Sequence, residues 1–80
     1  MKPISIIYRK LGKHNADGLA WCEDNLIEID ERLKSFQHLE TLIHEITHIQ
    51  NPTWSEIKVD GHSKQLATIL WQIGYRKCEL

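Results

Sequence analysis

His44-Glu45-Ile46-Thr47-His48 reads HExxH, and three of these five residues carry groups that can do chemistry together. On a helix, residues i and i+4 stand one above the other, about 6 Å apart at their Cβ atoms, so two imidazoles can reach one tetrahedral zinc ion. Glu45 adjoins His44 and leans toward the same edge. A carboxylate there can take a proton from a zinc-activated water and deliver it to a leaving amine, while the metal polarises the scissile carbonyl.

Catalytic zinc normally takes three protein ligands and keeps the fourth position for water. The turn from Asn51 to Trp54 reflects residues 55 to 62 onto His44 and His48, which offers Glu56, Asp60 and His62. At 100° per residue, Glu56 sits at the margin of the second helix's apolar stripe, Asp60 further round, and His62 within it. Each also has a plainer role. Glu56 can be the fourth residue of a capping box begun at Thr53, Asp60 a solvated acid near a helix N-terminus, and His62 a core histidine. Glu56 and Asp60 are themselves i, i+4, so one can bind metal while the other holds a ligating imidazole in the right tautomer. The third ligand stays open among the three.

The elements that must position these groups follow from periodicity. Ile4 to Arg9 is β-branched and aromatic, a strand, and Lys10 to Gly18 is a polar loop. Residues 19 to 23 and 26 to 30 flank Asp24-Asn25, a pair that tolerates left-handed backbone, and read as a hairpin. In that register Ala20 and Cys22 share a face with Ile27 and Ile29, and Trp21, Glu28 and Asp30 point the other way, with Trp21 covered by the preceding loop or lining a cleft. From Ser35, read as an N-cap, to about Gln50, Phe36, Leu39, Leu42, Ile43, Ile46 and Ile49 recur at helical spacing, leaving Thr41, His44, Glu45 and His48 on the adjoining face. Asn51-Pro52 stops this helix. A second begins near Thr53 to Ser55 and runs to Gly74, with a stripe of Val59, His62, Leu66, Ile69, Leu70 and Ile73.

The expectation is one α+β domain over residues 1 to 80: a small antiparallel sheet of about three strands, then two antiparallel helices on one of its faces. Eighty residues support one modest core, and a bound metal is a usual aid to so small a fold. A net charge of -1 offers no broad attraction to nucleic acid, and the second helix has only Lys58 and Lys64 before its end, against DNA binding. The N-terminal apolar run is too short for a secretory signal or a membrane span, and Cys22 and Cys78 form neither CxxC nor a disulfide framework, which suits a cytoplasmic setting.

HEITH followed by Glu56-Ile57-Lys58-Val59-Asp60 resembles the gluzincin branch of the zincin metallopeptidases, whose third ligand is a glutamate followed four residues later by a supporting aspartate. The stretch TLIHEITHIQNPTWSEIKVDGHSKQLATILWQIGYR, with LIEIDERL before it, resembles very small zincin-like proteins of phages and prophages, over residues 17 to 77. The resemblance implies a minimal zincin-like fold, zinc on His44, His48 and Glu56, and Glu45 as general base. The interval from His48 to Glu56 is much shorter than in large gluzincins, and Gly61-His62 departs from the small proteins' pattern, so Asp60 and His62 stay beside Glu56 as supporting or alternative ligands.

Two functions follow. One is a minimal zinc-dependent peptidase acting on a peptide or protein laid along the strand at 19 to 23, with Tyr8, Tyr75 and His62 as candidate oxyanion donors. The other is a catalytically silent, zinc-stabilised binding module using the same ligands, which a closed site of four protein ligands would favour.

Overall fold

The computed structural model describes residues 3–12 and 16–78. Three strands, β1 (Ser5–Arg9), β2 (Gly18–Trp21) and β3 (Leu26–Asp30), precede two helices, α1 (Ser35–Gln50) and α2 (Glu56–Gln72). This is the expected α+β order.

The sheet is mixed rather than antiparallel: its order is β1-β3-β2, with β2 antiparallel and β1 parallel to β3. The chain reverses after β1 and again after β2, so β1 and β3 point the same way, and β3 enters between the other two. As the central strand β3 has both faces covered, and Ile27, Glu28, Ile29 and Asp30 are all buried. Part of the polar loop expected from Lys10 to Gly18, residues 13 to 15, lies outside the described residues. Its Leu11 is wholly buried core, and its N–H donates to Asp30 Oδ2 at 3.3 Å.

The β2–β3 connection is longer than a two-residue turn. Cys22–Asp24 forms a 3-10 turn closed by Asn25 at φ 52°, so the left-handed residue falls where expected but Cys22 leaves the strand. Ala20 stands opposite Ile27 as the alternation requires. Trp21 shares the opposite face with Glu28 and donates its indole N–H to Glu28 Oε2 at 2.9 Å, which neither a covering loop nor a cleft explains.

Helix α1 has the expected bounds, but Ser35 is not its cap. Lys34 holds that position without a side-chain bond, and Ser35 itself has φ 57°. At α2 the cap is Ser55, whose Oγ accepts from Lys58 N–H at 3.2 Å. Glu56 is thereby the first helical residue, free of the Thr53 capping box. Gly74, at φ 101°, closes the other end. Phe36 meets Trp71, and His44 meets Ser63, so the helices run antiparallel. Among the described residues α1 lies along the sheet, chiefly against β2 and β3, and α2 packs mainly on α1.

The phase of α2 differs from the expected stripe. Val59, Ser63 and Ala67 are buried against α1, while Leu66, Ile69 and Ile73 are 39%, 48% and 67% exposed and His62 is also exposed. The helix is turned by about 70° relative to the apolar stripe. Small side chains at 63 and 67 let α2 approach the bulkier α1, and this close fit outweighs burial of the larger residues. No helix among the described residues is long and apolar enough to cross a membrane.

Candidate metal centre

The rotation of α2 decides what faces His44 and His48. Taking Val59, Ser63 and Ala67 as the buried centre, Glu56 lies about 20° from it, Asp60 about 60°, and His62 about 100° to the other side. Glu56 accordingly reaches across to both histidines: its Oε1 is 2.7 Å from His44 Nε2 and its Oε2 is 2.9 Å from His48 Nε2. One donor atom from each of His44, His48 and Glu56 falls within 4.8 Å of the others, so this group could hold a metal ion. The two imidazoles stand edge to face, centroids 4.9 Å apart.

Asp60 sits behind His44, not in front of it, with Oδ1 3.8 Å from Nδ1 and Oδ2 engaged by Lys64 Nζ at 3.1 Å. The group nearest Nδ1 is Ser63 Oγ, at 3.3 Å. Ser63 is wholly buried and its hydroxyl donates to the Asp60 carbonyl at 3.1 Å. A hydroxyl has one proton to give. With that proton committed, His44 Nδ1–H is the donor to Ser63 Oγ, and Nε2 of the neutral ring turns a lone pair toward Glu56. A lone pair 2.7 Å from a carboxylate oxygen calls for a proton or a cation between them, and a bound metal ion would supply the latter. The donor set fits a metal. Bonds of about 2.0–2.1 Å in a tetrahedral site separate ligand atoms by about 3.3 Å, between the 2.7 and 2.9 Å carboxylate contacts and the 4.8 Å that bounds the group, so a bound ion would draw the three side chains into modest readjustment. The Glu56 side chain is 70% exposed, which leaves it room to move.

Glu45 is buried beside this group, under β2. Burial raises its carboxyl above the ordinary value, His44 and His48 oppose that shift, and Glu56 reinforces it. Gly18 makes the cover possible: a Cβ there would lie 2.9 Å from Thr41 Cγ2 and 3.0 Å from Glu45 Cγ and Oε2. The cleft that exposes the metal-facing groups is lined by Gly18, Leu19, Ala20 and Cys22 opposite His44, Glu45, His48 and Glu56. Cys22 Sγ is turned to the His48 carbonyl at 3.5 Å.

The sequence-selected residues therefore divide. His44, Glu45, His48 and Glu56 come together, Asp60 stands at the back of His44, and His62 does not join them, its ring lying edge-on to Trp54 with centroids 5.4 Å apart. Tyr8 is taken up by His38 at 2.9 Å, and Tyr8 and Tyr75 line a different groove, so neither is an oxyanion donor in this cleft. Ser63 and Gly18 were not singled out by spacing. Their signal is size: a serine and an alanine four apart on α2, and a glycine opening a strand, each mark a close approach of backbones. Comparison with known proteins brings no family model, no curated protein and no solved structure that matches the chain.

Proposed function

We propose that the protein is a minimal zinc-dependent peptidase with Glu45 as its general base. The observation that carries this reading is the convergence of His44, His48 and Glu56 in front of a buried carboxylate, in a cleft beside a free strand edge. Two imidazoles and a carboxylate are a donor set suited to zinc, and held there zinc supplies a Lewis acid for the scissile carbonyl and for a water molecule. Neither Asp60 nor His62 joins the three, and an unfilled fourth position among the described residues favours catalysis over the closed site a silent module would use.

The chain's own groups divide the remaining work. Glu45 accepts the water's proton and passes it to the leaving amine, and burial, which raises its carboxyl above the ordinary value, favours its holding the proton between the two transfers. Ser63 fixes the tautomer of His44. Asp30 N–H donates to the Asp17 carbonyl at 2.8 Å, so by the alternation of an antiparallel ladder the main-chain groups of Gly18 and Ala20 face away from β3. An extended peptide pairing with them lies across the cleft, which makes a peptide or protein the substrate.

Zinc-loaded protein incubated with a peptide library, read by mass spectrometry, tests the reading. Cleavage is expected for the native chain, with a loss of about 100-fold or more for Glu45→Gln at unchanged zinc stoichiometry. A zinc-loaded native chain that cleaves nothing, or a Glu45→Gln variant that cleaves as well, refutes it.

A further inference from the structure

The LWxxGYR segment, Leu70 to Arg76, plays no part in the metal cleft. Gly74 reverses the chain, with its N–H on the Trp71 carbonyl at 3.1 Å and Tyr75 N–H on the Leu70 carbonyl at 3.0 Å. The tail folds back so that the Arg76 guanidinium lies 3.4 Å over the Trp71 ring and its Nη1 donates to the Trp71 and Tyr75 carbonyls. Lys77 Nζ sits 4.5 Å over Tyr8 of β1. These groups and buried His38 wall a largely apolar groove of about 280 Å³ between β1, the first turns of α1 and the end of α2. The metal-binding residues lie at the other end of the helix pair.

Two features of this groove lack a counterpart among the described residues. Among the described residues no carboxylate comes within ion-pair distance of Arg76 or Lys77, so two cations stand at the mouth of an apolar groove. The strand forming one wall is an edge: β1 pairs only with β3, all five residues are exposed, and Ile6, Ile7 and Tyr8 are 42%, 45% and 39% accessible. Ser5 N–H donates to Asn25 and the Arg9 carbonyl accepts from Glu31. In a parallel ladder that places the main-chain groups of Ser5, Ile7 and Arg9 toward β3 and those of Ile6 and Tyr8 outward. An exposed edge whose central residues Ile6, Ile7 and Tyr8 are apolar is a template for another strand.

We propose that the free edge of β1 takes an extended segment of a partner protein, paired to Ile6 and Tyr8, with an acidic side chain set against Arg76 and Lys77 at the mouth of the groove. Main-chain pairing supplies register, the groove takes an apolar side chain of the segment, and the cation pair selects for negative charge. A second copy of the chain is a poorer occupant, since it brings the same cations to the contact. This surface is independent of the metal reading.

The probes are two dye-labelled hexapeptides, Thr-Phe-Thr-Glu-Thr-Val, whose Phe and Glu share one strand face, and the same sequence with Lys for Glu, titrated with the full chain by fluorescence anisotropy. The acidic peptide is expected to bind at least tenfold more tightly. Arg76→Gln with Lys77→Gln, both in the exposed tail, should erase the preference, and amide shifts on binding should centre on Ile6 and Tyr8 rather than on Gly18 and Ala20. Ile6→Pro removes an outward N–H without touching the β3 ladder and should weaken binding at least fivefold. Equal binding of both peptides, no binding of either, or shifts centred on β2 overturns the proposal. So does a dimer in sedimentation that Ile6→Pro dissociates, or capture of octanoate but not the peptide.

Discussion

Replacing Glu56 by Gln tests the proposed third ligand, because its exposed side chain gives it little part in the fold beyond its contacts to His44 and His48. Its side chain is 70% exposed, so in metal-free protein the loss is that of exposed contacts to His44 and His48, about 1 kcal/mol at most. Zinc changes the arithmetic. At zinc 1,000 times above its Kd, a ligand that binds only the folded chain stabilises it by about 4.1 kcal/mol. Altering a group behind a ligand typically weakens affinity 10- to 100-fold, so losing the ligand itself should reach the upper figure. At 100-fold weaker binding the same zinc is only ten times Kd and stabilises by about 1.4 kcal/mol. For a domain this size, 1 kcal/mol moves Tm by about 4–8 °C, so a zinc-induced rise of about 16–33 °C should shrink to about 6–11 °C. Thermal melts with zinc and with chelator measure both quantities. His62→Ala is the control and should leave the zinc shift intact, its ring being spent on Trp54. A full zinc shift in Glu56→Gln, or a lost one in His62→Ala, refutes the assignment of the third ligand.

Ser63→Ala removes the partner of His44 Nδ1 while keeping a small buried side chain; zinc affinity measured by competition titration should fall about 10-fold with the metal-free Tm little changed. Gly18→Ala forces a Cβ into Thr41 and Glu45, costing about 1–3 kcal/mol in denaturant unfolding and displacing the proposed general base, so any peptidase rate should fall as well. The Asp30 carboxyl is held far below its ordinary range by the Arg32 side chain and main-chain N–H, bonded to Oδ1 at 2.9 Å each. A depressed carboxylate contributes stability that is fully present above the unfolded value near pH 4 and is lost as pH falls through the folded value. Acid titration of Tm should therefore steepen below about pH 4 in the native chain and flatten in Asp30→Asn.

Local periodicity made much of this molecule legible. The bounds of α1 and the common edge of His44, Glu45 and His48 depend on 3.6 residues per turn and on nothing distant. The left-handed Asn25 and the closing Gly74 were readable because few residues tolerate those angles. Ser35 misled because a good capping residue matters only if the incoming chain presents it, and the chain leaving β3 puts Lys34 at that position. The sheet misled because strand pairing is a long-range choice: reversals after β1 and β2 fix direction, and neither says which strand lies between.

The sequence alone thus set out two candidate ligands and a candidate base on one helix, and narrowed the candidates for a third ligand to Glu56, Asp60 or His62. Only the tertiary structure chose Glu56 for the metal face, put Asp60 behind His44 and turned His62 away. The reason is steric. Hydrophobicity ranks the large residues of α2 as the buried stripe, but α1 and α2 approach closely only where Ser63 and Ala67 meet. That choice of phase carries Glu56 round to the two histidines.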